Sequence, residues 1–131
     1  TREDQTKDGQ KRIDPILGPD PIAMLVYANG YFAAQFMKRD RTAALFSDQT
    51  FSGQNNTSAV AGYDAYFGQY EIDSSTGMVK HTLIGSITPQ NVGMTVQRPV
   101  KVVDGKLTIT LETTTPENEW ITRILTWRRI K

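Results

Sequence analysis

From Gly68 to the end of the chain, apolar residues recur at every second position. The stretches "GQYEID", "MVKHTLIGSI", "VGMTVQRPVKVV", "KLTITLE" and "WITRILTWRRI" are rich in β-branched and aromatic residues, and short runs with turn chemistry ("DSSTG", "TPQN", "VDGK", "TTPENE") separate them. A period of two sends alternate side chains to opposite faces of a strand, so each stretch predicts a strand with one face toward a core. Consecutive strands joined by tight turns pair with their neighbours in antiparallel fashion. The expected architecture is an all-β, antiparallel up-and-down sheet, closed into a barrel because closure removes its exposed edges.

The first half of the chain punctuates differently. Residues 1–12 are polar and are expected to be irregular, and Pro15, Pro19 and Pro21 in "DPILGPDPI" fix a turn. The first regular element should therefore start at Ile22. Asn29-Gly30 tolerates the positive φ angles of a type I′ turn, which predicts a hairpin of strands 22–28 and 31–37. From Lys38 to Asn56 the pattern breaks into charges and "SGQNN", read as a long surface excursion. Thr57 or Ser58 can cap a short helix through about Phe67, since Val60, Tyr63 or Asp64, and Phe67 lie three to four residues apart and Gly68 can end it. The expectation for 38–67 is a long capping loop and one short helix over one mouth of the barrel.

Composition narrows what such a barrel can do. The 131 residues suit a single domain spanning 1–131. With no cysteine and one histidine, disulfides, a thiolate nucleophile and cysteine-bound metals are excluded, and neither a metal nor another cofactor is expected. Fifteen Lys+Arg against fourteen Asp+Glu give a formal charge of +1, without the basic field that concentrates nucleic acid. No apolar run approaches the ~20 residues that span a bilayer, and "TREDQTKDGQ" is no signal-peptide core, so no membrane partner is expected and a soluble, cytoplasmic protein is favoured. What remains is a small molecule or another protein, a homodimer included.

The alternation also sorts the side chains. Val79, His81, Leu83, Gly85 and Ile87 share one face of their strand, Met94, Val96, Arg98, Val100 and Val102 that of the next, and Leu107, Ile109 and Leu111 the next again. On the last strand the pattern leaves two faces open, Ile121, Arg123, Leu125 and Trp127 against Trp120, Ile124 and Ile130, and Tyr70 and Ile72 face the same way on strand 68–73. The predicted interior thus contains a tyrosine, the lone histidine and one or two arginines among aliphatic residues. An inward guanidinium left unpaired costs several kcal/mol, so it needs a carboxylate, carbonyls, water or an anionic ligand. Phe32, Phe36, Phe51, Tyr63 and Phe67 are read as lid and core residues, because no Lys/Arg stripe is interleaved with them. A turn around Pro89-Gln90-Asn91 would set His81 close to a direct cross-strand pair with Arg98, and a neighbouring guanidinium should keep the imidazole mostly neutral at pH 7.

The order "GPDPIAMLVYANGYFAAQFM", "AYFGQYEID", "VKHTLIGSITPQNVGMTVQR", "VDGKLTI" and "LTWRR" resembles the lipocalin-like domain family of small, mostly bacterial β-barrel proteins. The match runs from about Gly18 to Arg129, with Tyr66, Gly68 and Tyr70 in "YFGQY", His81, Pro89 and Arg98 as its most specific features. The resemblance implies a lipocalin-like barrel, capped at one end, able to hold a small lipophilic molecule. Members usually open with a strand carrying a "GTW"-like motif, and this chain starts inside the turn that follows it, so the first strand is expected to be lacking from the chain as given.

Three functions compete. The first is binding of a small hydrophobic or amphipathic molecule, acidic ones included, with Phe32, Phe36, Leu83, Val96 and Leu125 lining a cavity and Tyr70, His81 and Arg98 orienting a polar end. The second is a cofactor-independent isomerase or cyclase in which His81 moves a proton, for which a carboxylate beside His81 would be the hallmark; Glu71 and Asp73 are predicted to face outward. The third is a filled barrel serving as a protein-interaction module.

Overall fold

The computed structural model describes residues 1–41, 49–50, 56–115 and 117–130, with residues 49–50 described by backbone alone. Eleven strands follow one another: β1 Arg2–Thr6, β2 Lys11–Ile13, β3 Ile22–Ala28, β4 Tyr31–Met37, β5 Gln49–Thr50, β6 Ala59–Val60, β7 Tyr63–Asp73, β8 Met78–Ser86, β9 Thr95–Val103, β10 Lys106–Thr114 and β11 Trp120–Arg128. The main sheet runs β2-β1-β11-β10-β9-β8-β7-β4-β3, and β5 and β6 pair beside β7. All of its pairings are antiparallel.

Turn chemistry sets the hairpins as expected. Asn29 and Gly30 hold φ of 52° and 82°, and Ala28 pairs with Tyr31 across them. Asp104 and Gly105 repeat the arrangement at 51° and 73° between β9 and β10. Both are left-handed positions, which is why Asn-Gly and Asp-Gly stand there.

The sheet curls until its ends approach. The Phe36 ring on β4 meets Trp127 on β11 with centroids 5.3 Å apart, although four strands separate β4 from β11 in the sheet. The enclosed face carries the core of Phe32, Ala34, Phe36, Tyr66, Leu83, Ile109, Leu111 and Leu125, joined by Ile16 and Leu17 from the proline-rich turn. A fully buried Phe or Leu contributes roughly 1.5–3 kcal/mol. Edge strands β2 and β3 do not hydrogen-bond to each other, so this up-and-down barrel is curled but not closed by a ladder.

Several expectations are corrected. The stretch 57–67 is not helical: β6 and β7 occupy it, and the helical turn among the described residues is the 3-10 turn Pro89–Asn91. Ala61 and Gly62, with φ of 50° and 74°, make a tight turn that starts β7 at Tyr63, and from there Asp64, Tyr66 and Gly68 alternate inward. Gly68 ends nothing, since it sits at a bulge in mid-strand. An added Cβ there would lie 1.9 Å from the Thr82 carbonyl oxygen, so only glycine permits the approach of β7 to β8. The N-terminal twelve residues are not irregular either, because β1 pairs with β11 and β2 with β1. Ile72, Ile87 and Val102 are exposed rather than interior, lying at or beyond strand ends where the curled sheet no longer has an opposite wall, and Phe67 is 53% exposed. Phe51 and most of the expected cap, 42–48 and 51–55, lie outside the described residues.

Candidate functional site

The interior divides into an aromatic half and a charged half. In the aromatic half, β3, β4, β7 and β8 bring Tyr27, Phe32, Tyr70 and His81 together: His81 lies opposite Tyr70, and Tyr27 opposite Phe32. The Phe32 and His81 rings are 4.4 Å apart, and Tyr27 packs edge-on to Tyr70 at 4.7 Å. The Tyr27 hydroxyl and His81 Nε2 share a hydrogen bond of 2.7 Å, while Nδ1 has no partner among the described residues. Burial first, and the charge of Arg98 second, hold the His81 pKa down at about 4, so the ring is neutral at pH 7. Burial also raises the Tyr27 phenol, which stays protonated.

His81 and Arg98 both point inward from the neighbouring strands β8 and β9, each 3% exposed. They are not the expected direct pair: Arg98 lies opposite Val79, and His81 opposite Val96. The connection is longer than a turn on Pro89-Gln90-Asn91, because Gly93 and Met94 still bond back to Leu83. The resulting shift is two residues, which changes partners yet keeps both faces.

The charged half joins Arg123, which patterning offered as a second inward arginine, to Arg2, Asp4 and Asp14, which it did not single out. Arg2 and Asp4 on β1, Asp14, and Arg123 on β11 form a fully buried network. Arg123 donates to Asp4 at 2.8 and 3.1 Å, to Asp14 at 3.2 Å and to the Thr57 hydroxyl at 2.8 Å. Arg2 meets Asp14 at 2.7 Å and donates to the Thr57 carbonyl at 2.8 Å. Two cations and two carboxylates neutralise one another here, which is what allows them to be buried.

Arg98 lies between the two halves. Its guanidinium donates to the Asn56 side-chain carbonyl and bonds to Tyr66, and it also feels Tyr27 and Asp64. Asp64 on β7 is 0% exposed, and neither of its oxygens has a hydrogen-bond partner among the described residues. Burial raises its pKa to about 7, against the weaker downward pull of Arg2, the Ala65 amide and Arg98. The ion pairs among the described residues include neither Arg98 nor Asp64.

Two clefts flank this interior. One, of about 490 Å3, lies where β9 and β10 diverge beyond the Ile109–Val100 pair; the outward-facing Gln97, Pro99, Thr110, Glu112 and Thr122 line it together with Val96, Arg98 and Leu111. The other, of about 570 Å3, is the seam between β3 and β10–β11, lined by Leu25, Tyr27, Leu107, Trp127 and Ile130. Of the eight residues read from the sequence, Phe32, Phe36, Leu83, Leu125, His81 and Arg98 are buried, and Tyr70 and Val96 half-buried, on the enclosed face. Tyr27, Asn56 and Asp64 are absent from that reading, and Tyr66 enters it only as a feature of the family resemblance and with no role in the site. Tyr27 was legible as an inward position of β3, whereas Asp64 and Tyr66 were masked by the helical reading of 57–67. Among the described residues no three His, Asp or Glu side chains are grouped as a metal site would require. No helix among them is long and apolar enough to cross a membrane.

A curled antiparallel sheet with an aromatic interior and placed polar groups is the architecture of a small ligand-binding β-barrel. The lipocalin-like domain family model matches residues 3–130, and the chain belongs to that family. Comparison with curated proteins and with solved structures finds no match.

Proposed function

We propose that the protein binds a small amphipathic molecule, its apolar part in the seam between β3 and β10–β11 and its acidic end turned toward Arg98. The observation that carries this reading is Arg98 itself: a side chain 3% exposed on the enclosed face, in no ion pair among the described residues, with Tyr27 of the seam within its electrostatic reach. A buried charge without a counter-ion is costly, and an anionic head group would offset that cost. The apolar walls Leu25, Leu107 and Trp127 suit a hydrocarbon portion, with Tyr27 as the link between the seam and the polar interior. Trp127 Nε1 and His81 Nδ1 stand ready as further polar contacts.

The isomerase or cyclase reading is supported less well. The hydrogen-bond partner of His81 is a phenol rather than a carboxylate, Glu71 and Asp73 are exposed, and an imidazole held near 4 is a weak base at neutral pH. The test is Arg98→Met, assayed by calorimetry with decanoate and with decanol below their aggregation limits. The acid should lose at least tenfold in affinity and the alcohol little. Equal losses for both would remove Arg98 as the head-group contact.

A further inference from the structure

Asp64 and Arg98 are two buried, oppositely charged side chains on the same enclosed face that do not meet. Arg98 uses only part of its five donors on Asn56 and Tyr66, and beyond the pull of the adjacent Ala65 amide neither Asp64 oxygen has a hydrogen-bond partner among the described residues. The same region holds two further unused donors, Asn56 Nδ2 and Arg2 Nη1, on residues 0% and 3% exposed. Buried polar atoms are nearly always satisfied, so orphaned donors and acceptors gathered in one place mark a spot where another group completes the set. A carboxyl group has the matching chemistry: one oxygen to accept from Arg98 and the free Asn56 amide, the other to share a hydrogen bond with Asp64.

Such a pair carries a charge condition. Arg2 is already paired with Asp14, and Arg123 with Asp4 and Asp14, so Arg98 is the uncompensated cation of this region among the described residues. One cation supports one carboxylate, and two carboxylates in contact cannot both be ionised. We infer that the acidic end of the ligand binds as a proton-sharing pair with Asp64, so that an ionised ligand enters together with one proton from solvent that ends on the carboxyl pair. The inference rests on the proposed binding of an acidic amphiphile and adds the residue that makes it pH-dependent.

The groups facing Asp64 are Arg2 from β1, Arg98 from β9 and Tyr66 from its own strand, with Phe36 opposite it on β4. From β8, Ile87 reaches the Ala65 carbonyl just beyond the strand end through its backbone and brings no charge. Burial lowers both guanidinium pKa values from an ordinary 12.5, against the pull of Asp14 on Arg2 and of Tyr66 on Arg98. Asp64 is free to gain a proton, since burial raises its pKa to about 7.

The experiment measures decanoate affinity from pH 6 to 9, where the ligand stays ionised, and counts protons at pH 8 by calorimetry in two buffers of different ionisation enthalpy. The expected result for the parent protein is a loss of about tenfold in affinity per pH unit above 7, with uptake close to one proton per ligand. Asp64→Asn, which keeps shape and hydrogen bonding, should bind decanoate with an affinity flat from pH 6 to 9 and with no proton uptake. A flat profile in the parent, or a slope that survives in Asp64→Asn, overturns the proton-sharing pair and leaves the binding reading standing. Absence of saturable decanoate binding by either protein at every pH overturns both.

Discussion

Replacing Asp64 with Asn should stabilise the protein by an amount that grows with pH. In the fold the carboxyl pKa stands at about 7 against an ordinary 3.8, chiefly because burial disfavours the charged form. At about 1.36 kcal/mol per pKa unit, the ionised carboxylate costs about 4 kcal/mol. Below about pH 4 both folded and unfolded chains hold the proton and the cost is absent. Between about 4 and 7 the unfolded chain releases its proton while the folded chain keeps it, so stability falls as pH rises; above 7 the loss is complete. His81 works in the opposite sense. Its pKa is lowered from 6.5 to about 4, so stability falls as pH drops through that window, by about 3 kcal/mol. In the parent the two slopes nearly cancel between pH 4 and 6.5. Asp64→Asn should uncover the histidine slope, gaining about 3 kcal/mol as pH rises from 4 to 6.5 and exceeding the parent by about 4 kcal/mol at pH 8. Urea unfolding of both proteins at half-unit pH steps reads this directly. A difference between them that does not change with pH, or one that shrinks as pH rises, refutes the reasoning, since the latter is the sign of a carboxylate stabilised by a salt bridge.

Two further perturbations test the frame around the site. Arg123→Met strands the buried carboxylate of Asp4 and removes one of the two cations on Asp14, and should cost about 3–5 kcal/mol in thermal or chemical unfolding. Gly68→Ala places a Cβ 1.9 Å from the Thr82 oxygen and should cost at least the roughly 1–3 kcal/mol of an overpacked core, with amide exchange between β7 and β8 accelerated. Unchanged stability in the latter would mean that the two strands separate without cost.

The sequence alone determined those features whose physics is local. Alternation over 78–111 set which side chains enter the barrel, because side-chain direction in a strand depends only on parity, and so His81, Leu83 and Arg98 were placed on the correct face from spacing alone. Asn29-Gly30 set its hairpin because few dipeptides accept two positive φ angles. The tertiary structure decided what parity cannot reach. A two-residue shift preserves faces, so the partner of His81 could be neither Arg98 nor any residue deduced from the turn, and it proved to be Tyr27 across the interior. Ala61 took a positive φ that its own chemistry disfavours because pairing of β6 with β7 repays it, and that turned an apparent helix into the strand carrying Asp64 and Tyr66. Arg2 and Asp4 read as polar surface in a one-dimensional pattern. Only the curled sheet brings Asp14 and Arg123 to neutralise them, since a charge can be buried when its counter-charge, however distant along the chain, is buried beside it.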